Sequence, residues 1–316
     1  MLAGTAIATA LFLIGLFAYE HYAAENPILD LIYEWRLRRQ DLAALDRAAA
    51  ENPRRVPIIV TFTTLPSRVE RIDLTLKSLL RQTVRPDAIR LNLPDASRRE
   101  GAPYVLPERI RTLTQLTIVP CADYGPATKV IPALFDSSAD AALLVVDDDR
   151  VYQPSFVERM ARLAGRHPDA AIASSGWDVP DDLVDRPTTL AATLFGRPPA
   201  PIKCTRVRGC REVDVFQGLA GYVVRPRFFD REAIADYTRA PTAAFFVDDV
   251  WISAHCRARK LVCAGPRTNF PSALDARFYK RSSLGLVNRG DGTNESRNNT
   301  IMLRYFADRW RHRQGA

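Results

Sequence analysis

The order of the apolar segments after residue 55 constrains the fold more than any other feature of the chain. Short apolar runs of strand length alternate with segments in which apolar residues recur at helical spacing. The predicted strands are 56–62, 89–93, 116–119 and 141–146. Such alternation is typical of parallel strands joined by helical crossovers. The sequence therefore predicts an α/β fold with a mostly parallel sheet and helices on both faces.

The segments between these strands are predicted to be helical. Apolar residues recur at helical spacing from Val69 to Leu80, and Pro86 is expected to mark the turn that follows. Another helix is expected to begin near Ala127. Ligands of such sheets bind beyond the carboxyl ends of the strands, so residues directly after a strand are the first to consider for function.

The N-terminal segment is apolar, and no charged side chain precedes Glu20. It is at the short end of the ~20 apolar residues that a membrane span needs. A cleaved signal peptide is the alternative, but such a peptide carries Lys or Arg before its apolar run, and this chain has none there. We therefore predict an uncleaved transmembrane anchor over 1–22. Arg36, Arg38 and Arg39 follow it, so the positive-inside rule predicts that the body of the protein lies in the cytoplasm, at a bacterial inner membrane.

Residues 23–55 are predicted to form a juxtamembrane segment. The apolar spacing from Ile28 onward indicates one amphipathic helix that runs to Ala50 and ends at Asn52-Pro53. The sequence leaves two possibilities open for its apolar side, which can lie on the membrane or pack on the following domain.

Charge and cysteine content exclude some functions. The net charge is +8, and the last 40 residues are strongly basic, which suits an anionic partner or a solvated tail. No motif for nucleic-acid recognition accompanies this charge, so no nucleic-acid partner is predicted. Five cysteines without a CxxC pair indicate neither a zinc site nor a disulfide framework, and a reducing compartment suits them best. A Cys204–Cys210 pair stays possible.

Three consecutive aspartates, Asp147, Asp148 and Asp149, follow the last predicted strand. Side chains alternate along an extended segment, so Asp147 and Asp149 point the same way and can share one cation. Carboxylates are hard oxygen ligands that suit Mg²⁺ or Mn²⁺. A polar turn or a helix cap is the alternative, but the position at a strand end favours metal binding.

The segment from Gly125 to Lys129 also suggests a binding site. Gly and Pro fix a turn, and the amino terminus of the helix expected after it offers free N–H groups to an anion. Lys129 would add positive charge beside a phosphate. An ordinary helix start with an exposed lysine explains the same residues without any ligand.

An acidic pair, Asp248 and Asp249, lies about 100 residues after the aspartate triplet. One carboxylate of the pair can take the proton from an acceptor hydroxyl, or either can cap the helix that follows. Between the two acidic sites, Gly218 and Gly221 allow a backbone to approach a sugar closely. Trp177 can stack on a sugar face, although a place in the core explains it equally well.

These motifs together resemble a known family of enzymes. The segment LLVVDDDRVY at 143–152 resembles the DxD segment of glycosyltransferases with the GT-A fold, and exostosin-like and family 2 enzymes are the nearest comparisons. Residues 60–68 resemble the first strand and loop that hold the nucleotide base and ribose, and residues 78–87 resemble the helix and turn that follow. The resemblance covers about residues 56–263, and its parts occur in the family's order.

The resemblance implies a role for each matched residue. It implies a donor site made of Thr61, Thr63, Pro66, Arg68, Gly125, Lys129, Asp147 and Asp148. It implies an acceptor site at Gly218, Gly221 and Trp177.

The two acidic clusters receive their roles in the same way. In the family the first aspartate of the triplet usually contacts the sugar and the last contacts the metal. Asp149 is therefore the metal ligand on which the alternation and the resemblance agree, with Asp147 as the second. Asp249 aligns with the second acid of the family's acceptor-side pair and is expected to be the catalytic base, with Asp248 beside it.

One departure from the family concerns the metal. Many members supply a late histidine as a further ligand, whereas the histidines of this chain are His21, His167, His255 and His312, and His255 is expected on a helix. The third protein ligand is therefore unassigned. Residues proposed instead to contact the diphosphate are Lys280, Arg281, Arg289 and Arg297, with Asn294 and Asn298 nearby.

The sequence thus predicts a catalytic domain over 56–316, with a donor half at 56–152 and an acceptor half at 153–316. The expected reaction is Mn²⁺- or Mg²⁺-dependent transfer of a sugar from a nucleoside diphosphate sugar, preferably a UDP-sugar, to a glycan or lipid-linked acceptor at the membrane. The exostosin-like comparison implies retention at the anomeric carbon, and the family 2 comparison implies inversion. The alternatives are a metal-dependent phosphoester hydrolase and a non-catalytic carbohydrate-binding relative.

Overall fold

The helices are defined by a computed structural model that describes residues 2–310, with side chains described from residue 5. Residue 1 and residues 311–316, which include His312, lie outside the described residues. The α-helices, in chain order, are α1 Leu2–Ala23, α2 Pro27–Arg38, α3 Leu42–Glu51, α4 Asp73–Leu80, α5 Glu108–Arg111, α6 Ile131–Asp136, α7 Phe156–Arg166, α8 Leu190–Phe195, α9 Arg231–Ala235, α10 Asp248–His255, α11 Ala276–Arg281, α12 Leu284–Val287 and α13 Asn298–Tyr305.

The strands are short, and most belong to one sheet. They are β1 Arg55–Phe62, β2 Arg85–Leu93, β3 Ala96–Ser97, β4 Ala102–Pro103, β5 Leu116–Pro120, β6 Leu143–Val145, β7 Arg150–Tyr152, β8 Ala170–Ala173, β9 Ser175–Trp177, β10 Ile202–Lys203, β11 Cys210–Glu212, β12 Val215–Phe216, β13 Tyr222–Val224, β14 Arg259–Cys263 and β15 Asn269–Pro271. Turns of 3-10 helix include Pro66–Arg71, Gly125–Lys129, Cys204–Arg206, Gly218–Ala220 and Thr242–Phe246.

The central sheet has eight strands in the order β11-β14-β8-β13-β6-β1-β2-β5. The neighbours β14 and β8, β6 and β1, β1 and β2, and β2 and β5 are parallel. The other neighbours are antiparallel, because β13 and β11 run against the rest. The predicted α/β fold with a mostly parallel sheet is therefore confirmed.

Alternation along the strands divides the core between the two faces of the sheet. Leu143 and Val145 of β6 pack on the face that holds α6 and α10, whereas Leu144 and Val146 pack on the face that holds α4 and α7. All four residues are fully buried. A strand buried on both faces needs apolar residues at every position, which explains why 141–146 is a continuous apolar run.

The predicted strands and the observed ones agree. The predicted segments 56–62, 89–93, 116–119 and 141–146 overlap β1, β2, β5 and β6, although β2 begins earlier, at Arg85, and β6 is limited to Leu143–Val145. Pro86 is an exception, because it lies within β2 rather than in a preceding turn. The segment from Val69 is likewise divided, since a 3-10 turn ends at Arg71 before α4 begins at Asp73.

The single helix predicted from Ile28 to Ala50 is wrong. Two helices occupy this segment, and α2 ends at Arg38 before α3 begins at Leu42. Asp41 separates them because its carboxylate accepts a hydrogen bond from the Ala44 N–H at 2.8 Å, as an N-cap does. The predicted end is correct, since α3 stops at Glu51 with Asn52 as its C-cap.

The helix α1 has the properties expected of a membrane span. Its part Thr5–Ala23 has a mean hydropathy of 1.4 and is not buried against the rest of the protein. Length and composition alone support this assignment, and an uncleaved anchor and a signal sequence satisfy both criteria.

The cysteines form a pair that the sequence did not indicate. Cys210 and Cys263 are joined by a disulfide, whereas Cys204 is buried and free. The pairing follows from sheet register, because β11 and β14 are antiparallel neighbours and place Cys210 directly opposite Cys263. Disulfides persist mainly in oxidising compartments. The bond excludes the possible Cys204–Cys210 pair and counts against the expected reducing compartment.

The disulfide gives the first testable prediction. It closes a loop with a sequence separation of 53 residues, and cross-links of this kind typically contribute ~2–4 kcal/mol by restricting the unfolded chain. We expect Cys210→Ser to lower the free energy of unfolding by that amount in urea titrations of the oxidised protein. Cys121→Ser, which alters a free thiol, is the control and should have little effect. Equal stability of Cys210→Ser and wild type would contradict a formed bond.

Candidate active site

A cavity of about 410 Å³ opens at the edge of the sheet where β1 and β6 end. This volume is within the range of small-molecule sites. The antiparallel strand β13 contributes to the same edge, since its first residue Tyr222 pairs with Val145, the last residue of β6. The segment before β13 therefore reaches the cavity, and Gln217 and Leu219 line it.

The aspartate triplet leaves β6 and divides between two environments. Asp148 is buried, and its two carboxylate oxygens accept hydrogen bonds from Thr64 Oγ1 at 2.6 Å and from Arg68 Nη1 at 2.9 Å. Thr75 Oγ1 donates to the Asp148 carbonyl at 2.7 Å. Asp147 and Asp149 keep about a quarter of their side chains exposed to the cavity, at 25% and 29%. The predicted alternation is therefore present, with Asp148 as the inward member.

Asp149 is the least compensated carboxylate of the triplet. The nearest basic atoms, Arg68 Nη1 and Arg150 Nε, lie 3.5 and 3.7 Å away, where hydrogen bonding is weak. Burial and the adjacent Asp148 raise the pKa of Asp149 to about 6. The Nε of Arg150 is itself buried and has no hydrogen-bond partner among the described residues. A cation at Asp149 and an anion at Arg150 would relieve both deficits.

Two guanidinium groups form a positive wall of the cavity. Arg68 and Arg99 both donate to the carbonyl of Ser282, at 2.9 and 2.7 Å, which joins them to the segment between α11 and α12. Burial and the nearby Arg68 lower the pKa of Arg99. Two cations held this close favour an anionic ligand.

Lys129 lies between the two acidic clusters. Its Nζ is 2.8 Å from Asp147 Oδ1 and 2.6 Å from Asp248 Oδ2. The contact with Asp248 is an ion pair without hydrogen-bond geometry, so Asp248 Oδ2 keeps a free acceptor position. Burial disfavours the ammonium, but Asp147, Asp248 and Asp249 outweigh it and raise the pKa of Lys129 well above its ordinary value.

Asp248 and Asp249 stand in the first turn of α10, and neither caps the helix, because the N-cap residue is Val247. Asp249 Oδ1 accepts a hydrogen bond from the Gly218 N–H at 2.8 Å. Burial and the neighbouring Asp248 raise the pKa of Asp249 to about 8. A carboxyl group with this pKa titrates near neutrality, as a general base should.

Two glycines make room for this arrangement. A Cβ on Gly218 would lie 2.2 Å from Lys129 Nζ and 3.2 Å from Asp249 Oδ1. Gly125 has φ +61°, and its Cβ would lie 2.4 Å from the Phe245 carbonyl oxygen. Side chains at these positions would displace the bridge between the acidic clusters or the loop that holds it.

Most predicted site residues meet at the cavity. The predicted residues that line it are Thr63, Arg68, Gly125, Lys129, Asp147, Asp148, Asp149, Trp177, Asp248 and Asp249. They come from both predicted halves of the catalytic domain, 56–152 and 153–316. Lys129 lies in the 3-10 turn Gly125–Lys129 rather than in an α-helix, which begins only at Ile131.

Four predicted residues lie behind the lining. Thr61 is fully buried, and its Oγ1 donates to the Lys129 carbonyl at 2.7 Å. Gly218 acts through its N–H on Asp249, as described above. Gly221 has φ +78° and faces the Phe156 ring, so it shapes the core rather than an acceptor site. Pro66 starts a 3-10 turn and does not line the cavity. These four residues are therefore near the site but are not part of the cavity lining.

The C-terminal residues that the sequence predicts as diphosphate contacts lie outside the cavity lining. Lys280, Arg281, Arg289, Arg297, Asn294 and Asn298 do not line the cavity. Arg297 Nε instead pairs with Asp185 at 2.6 Å. Ser283, Asn288 and Asn299 take their place in the lining. These three come from short helices and turns without strong periodicity, so no sequence signal identified them.

No histidine is among the residues that line the cavity in the described part of the chain. His255 lies at the end of α10, where burial lowers its pKa to about 4. In residues 5–310, the described group of three His, Cys or acidic ligand atoms within 4.8 Å of one another is His167 with the disulfide-bonded Cys210 and Cys263. The aspartates of the cavity do not form such a group of three within residues 5–310, so water or phosphate oxygens would complete the coordination of a metal bound there.

No protein-family model matches this chain, and no curated protein matches it. Among solved structures, it is similar to the crystal structure of S. aureus TarS 1–349, with a TM-score of 0.43 and 15% sequence identity over 80% of this chain and 70% of that one. The same TarS fragment in complex with UDP has a TM-score of 0.39 and 14% identity, over 78% and 70% of the two chains. A crystal structure of S. aureus TarS has a TM-score of 0.40 and 15% identity, over 80% and 42%. Likeness this distant does not assign a family to the chain.

The position of Lys129 gives the second prediction. Removing one partner of a buried ion pair typically costs ~3–5 kcal/mol, because the remaining charge is left without compensation. We expect Lys129→Met to lower the free energy of unfolding by about that amount at pH 8, as measured by urea titration. Lys280→Met, at an exposed lysine of α11, is the control and should change stability by less than about 0.5 kcal/mol. Equal effects of the two substitutions would contradict the bridging role.

Proposed function

We propose that this protein transfers a sugar from a nucleoside diphosphate sugar to an acceptor hydroxyl, with Mn²⁺ or Mg²⁺ as cofactor. One observation carries the proposal. A strand-end aspartate cluster faces a second acidic pair across one cavity, Asp249 of that pair has a raised pKa, and Lys129 lies between the two clusters. The first cluster suits a metal–diphosphate group, and the second suits proton removal from the acceptor.

The donor is assigned to the cavity wall that carries the arginine side chains and the aspartate triplet. Arg68, Arg99 and Arg150 line it and would contact the diphosphate oxygens. Thr63 and the loop after it would hold the nucleotide, preferably with uracil as the base. The chemistry expected of the donor thus matches the positive wall and the acidic cluster beside it.

The metal is assigned to Asp149 with Asp147 as second ligand. Asp149 fits this role because its side chain is partly exposed and its negative charge has only weak cationic partners. A bound cation would supply the missing positive charge and lower the raised pKa of this carboxyl group. A bound Mg²⁺ or Mn²⁺ would neutralise the charge that develops on the departing diphosphate. Asp148 does not compete for the cation, because Thr64 and Arg68 already satisfy its oxygens.

The acceptor side is assigned to the cavity wall around Asp249. Its carboxylate would accept the proton of the attacking hydroxyl, and the Gly218 N–H fixes its orientation. Asp248 raises the pKa of Asp249 and thereby strengthens the base. Trp177, half-buried in the lining, offers a ring face to a sugar. A base in this position suits transfer with inversion.

The acceptor is a glycan or a lipid-linked saccharide, and α1 holds the enzyme at the membrane. The positive-inside rule predicts a cytoplasmic catalytic domain, whereas the Cys210–Cys263 bond favours the opposite side. The redox state of these cysteines in intact cells decides between the two. Free thiols are blocked with a label before lysis, and the protein is then separated without reductant. Labelling of both Cys210 and Cys263 would indicate a cytoplasmic domain, whereas protection of both from the label would indicate the opposite side.

The decisive experiment uses the full chain in detergent micelles. It is offered a panel of nucleoside diphosphate sugars with candidate saccharide and lipid-linked acceptors, in Mn²⁺ or in EDTA. We expect acceptor-dependent release of nucleoside diphosphate in Mn²⁺ and its loss in EDTA. Release of nucleoside monophosphate and sugar 1-phosphate from the donor without an acceptor would indicate a phosphoester hydrolase instead. Donor binding without turnover across the panel would indicate a carbohydrate-binding protein.

Asp149→Asn gives the third prediction. Loss of a charged metal ligand should weaken donor binding in Mn²⁺ at least about tenfold. In EDTA, the variant and the wild type should bind the donor equally weakly. Calorimetric titration measures both affinities, and Asp169→Asn, at an exposed aspartate, is the matched control. Unchanged affinity of Asp149→Asn in Mn²⁺ would remove this residue from the metal site.

The raised pKa of Asp249 gives the fourth prediction. The carboxyl group is protonated below its pKa of about 8 and can act as a base only above it. We expect log kcat/KM for the acceptor to rise with pH up to about 8 and then level off. Asp248→Asn removes the neighbouring charge that raises this pKa, so the bend should move to lower pH. A profile that stays flat between about pH 6 and pH 9 would contradict Asp249 as the base.

A further inference from the structure

Helix α2 buries charged residues and exposes apolar ones, which is the reverse of a surface helix in a water-soluble domain. Its buried positions are Asp30, Glu34 and Leu37, which lie on one side at spacings of four and three residues. The large apolar residues of α2 point outward and are 41% to 49% exposed, namely Ile28, Leu29, Leu31, Ile32 and Trp35. The apolar spacing seen in the sequence is therefore real, but it marks the outer face of the helix.

The buried acids are specifically compensated, so the orientation of α2 is built into the fold. Glu34 Oε1 accepts from Ser272 and from Arg38, and Glu34 Oε2 accepts from the Ala273 N–H at 2.9 Å. Asp30 pairs with Arg267. Burial of a charge is costly without such partners. Rotating the helix to bury its apolar face would remove all of them.

Helix α8 presents a second outward apolar surface. Its sequence is LAATLF, and none of its residues is buried. Leu190 and Phe195 are 75% and 73% exposed. Helix α8 contacts α1, but these contacts leave Leu190 and Phe195 largely exposed, so they do not explain an uncharged helix without a buried residue.

Both surfaces lie at the same end of α1. Arg206 donates to the Thr193 carbonyl of α8 at 3.1 Å, and its guanidinium lies 4.8 Å from the centre of the Tyr22 ring in α1. Thr205 Oγ1 donates to the His21 carbonyl at 2.8 Å. On the other side, α2 begins at Pro27, directly after the end of α1 at Ala23. These contacts fix the body of the protein to the end of the apolar helix.

We propose that the outer face of α2 and the helix α8 form a membrane-docking surface, which rests the catalytic domain on the bilayer that α1 enters. The occupant is inferred from continuity with α1, whose exposed surface is also apolar. Basic residues accompany the apolar face, as expected at lipid headgroups. Arg36 in α2 and Arg39 at its C-cap are exposed, and the Arg39 guanidinium lies 3.5 Å from the centre of the Trp35 ring.

The docking surface explains where the active site lies. Glu25, between α1 and α2, is 3.9 Å from Arg150, and Arg150 is 3.7 Å from Asp149. Two successive ion pairs thus connect the end of the membrane helix to the cavity. An acceptor carried by the bilayer would reach this cavity without leaving the lipid surface. The docking surface itself does not depend on which reaction the cavity performs.

Trp35 reports directly on the docking surface. The full chain is reconstituted in phosphatidylcholine–phosphatidylglycerol vesicles whose acyl chains are brominated near the headgroup. The other tryptophans are shielded, since Trp251 and Trp310 are buried and Trp177 is half-buried in the cavity. We expect brominated lipid to quench Trp35, and the Trp35→Phe variant to lose that quenched component.

Helix α8 is tested in the Trp35→Phe protein by Phe195→Trp. We expect the new tryptophan to be quenched by brominated lipid and protected from aqueous iodide. The matched control is Phe135→Trp, in α6 on the opposite face of the sheet from α4, to which α2 packs. That tryptophan should be quenched by iodide and not by brominated lipid.

Three results would overturn the proposal. Quenching of Trp35 by iodide and not by brominated lipid would show a face in water. Protection from both quenchers together with a dimer in chemical cross-linking would show that a second copy covers the face. Quenching of the Phe135→Trp control by brominated lipid to the same extent as the Phe195→Trp variant would show that the contact is not specific to α2 and α8.

Discussion

The candidate site depends on one buried ammonium group. Lys129 contacts Asp147 at the end of β6 and Asp248 at the start of α10, so it joins the central sheet to a helix that belongs to the other half of the domain. Without it, the carboxylates of Asp147, Asp248 and Asp249 would repel one another across the cavity. Gly218 leaves room for the Lys129 side chain because it has no Cβ, and the Thr61 hydroxyl donates a hydrogen bond to the Lys129 carbonyl.

The two acidic clusters on either side of Lys129 also differ in their electrostatic surroundings. Lys129 lowers the pKa of Asp249 but does not overcome burial and Asp248, so Asp249 remains protonated near neutrality. The cationic partners of Asp149 are two guanidinium groups, at 3.5 and 3.7 Å. One cluster thus contains a carboxylate, Asp149, with only weak contacts to cations, and the other contains a weakly acidic carboxyl group, Asp249. The proposed metal and base roles rest on these two properties.

The sequence predicted what depends on local pattern and missed what depends on register or distant pairing. The strands and the triplet at 147–149 were predictable, because a doubly buried strand must be apolar and its end must be marked by polar residues. The bond between Cys210 and Cys263 follows only from the antiparallel register of β11 and β14. Arg99 and Asn288 line the cavity from irregular segments, where periodicity gives no information.

The orientation of α2 shows where pattern stops being sufficient. Periodicity revealed that Ile28 and Trp35 share one face of the helix, but it could not say whether that face turns inward. The answer lies in charges far along the chain, because Arg267 and Ser272 supply the partners that make burial of Asp30 and Glu34 possible. An apolar face left outside while charges are buried is the basis of the docking proposal, and the apolar helix α1 that ends beside this face is the reason that the proposed neighbour is a bilayer.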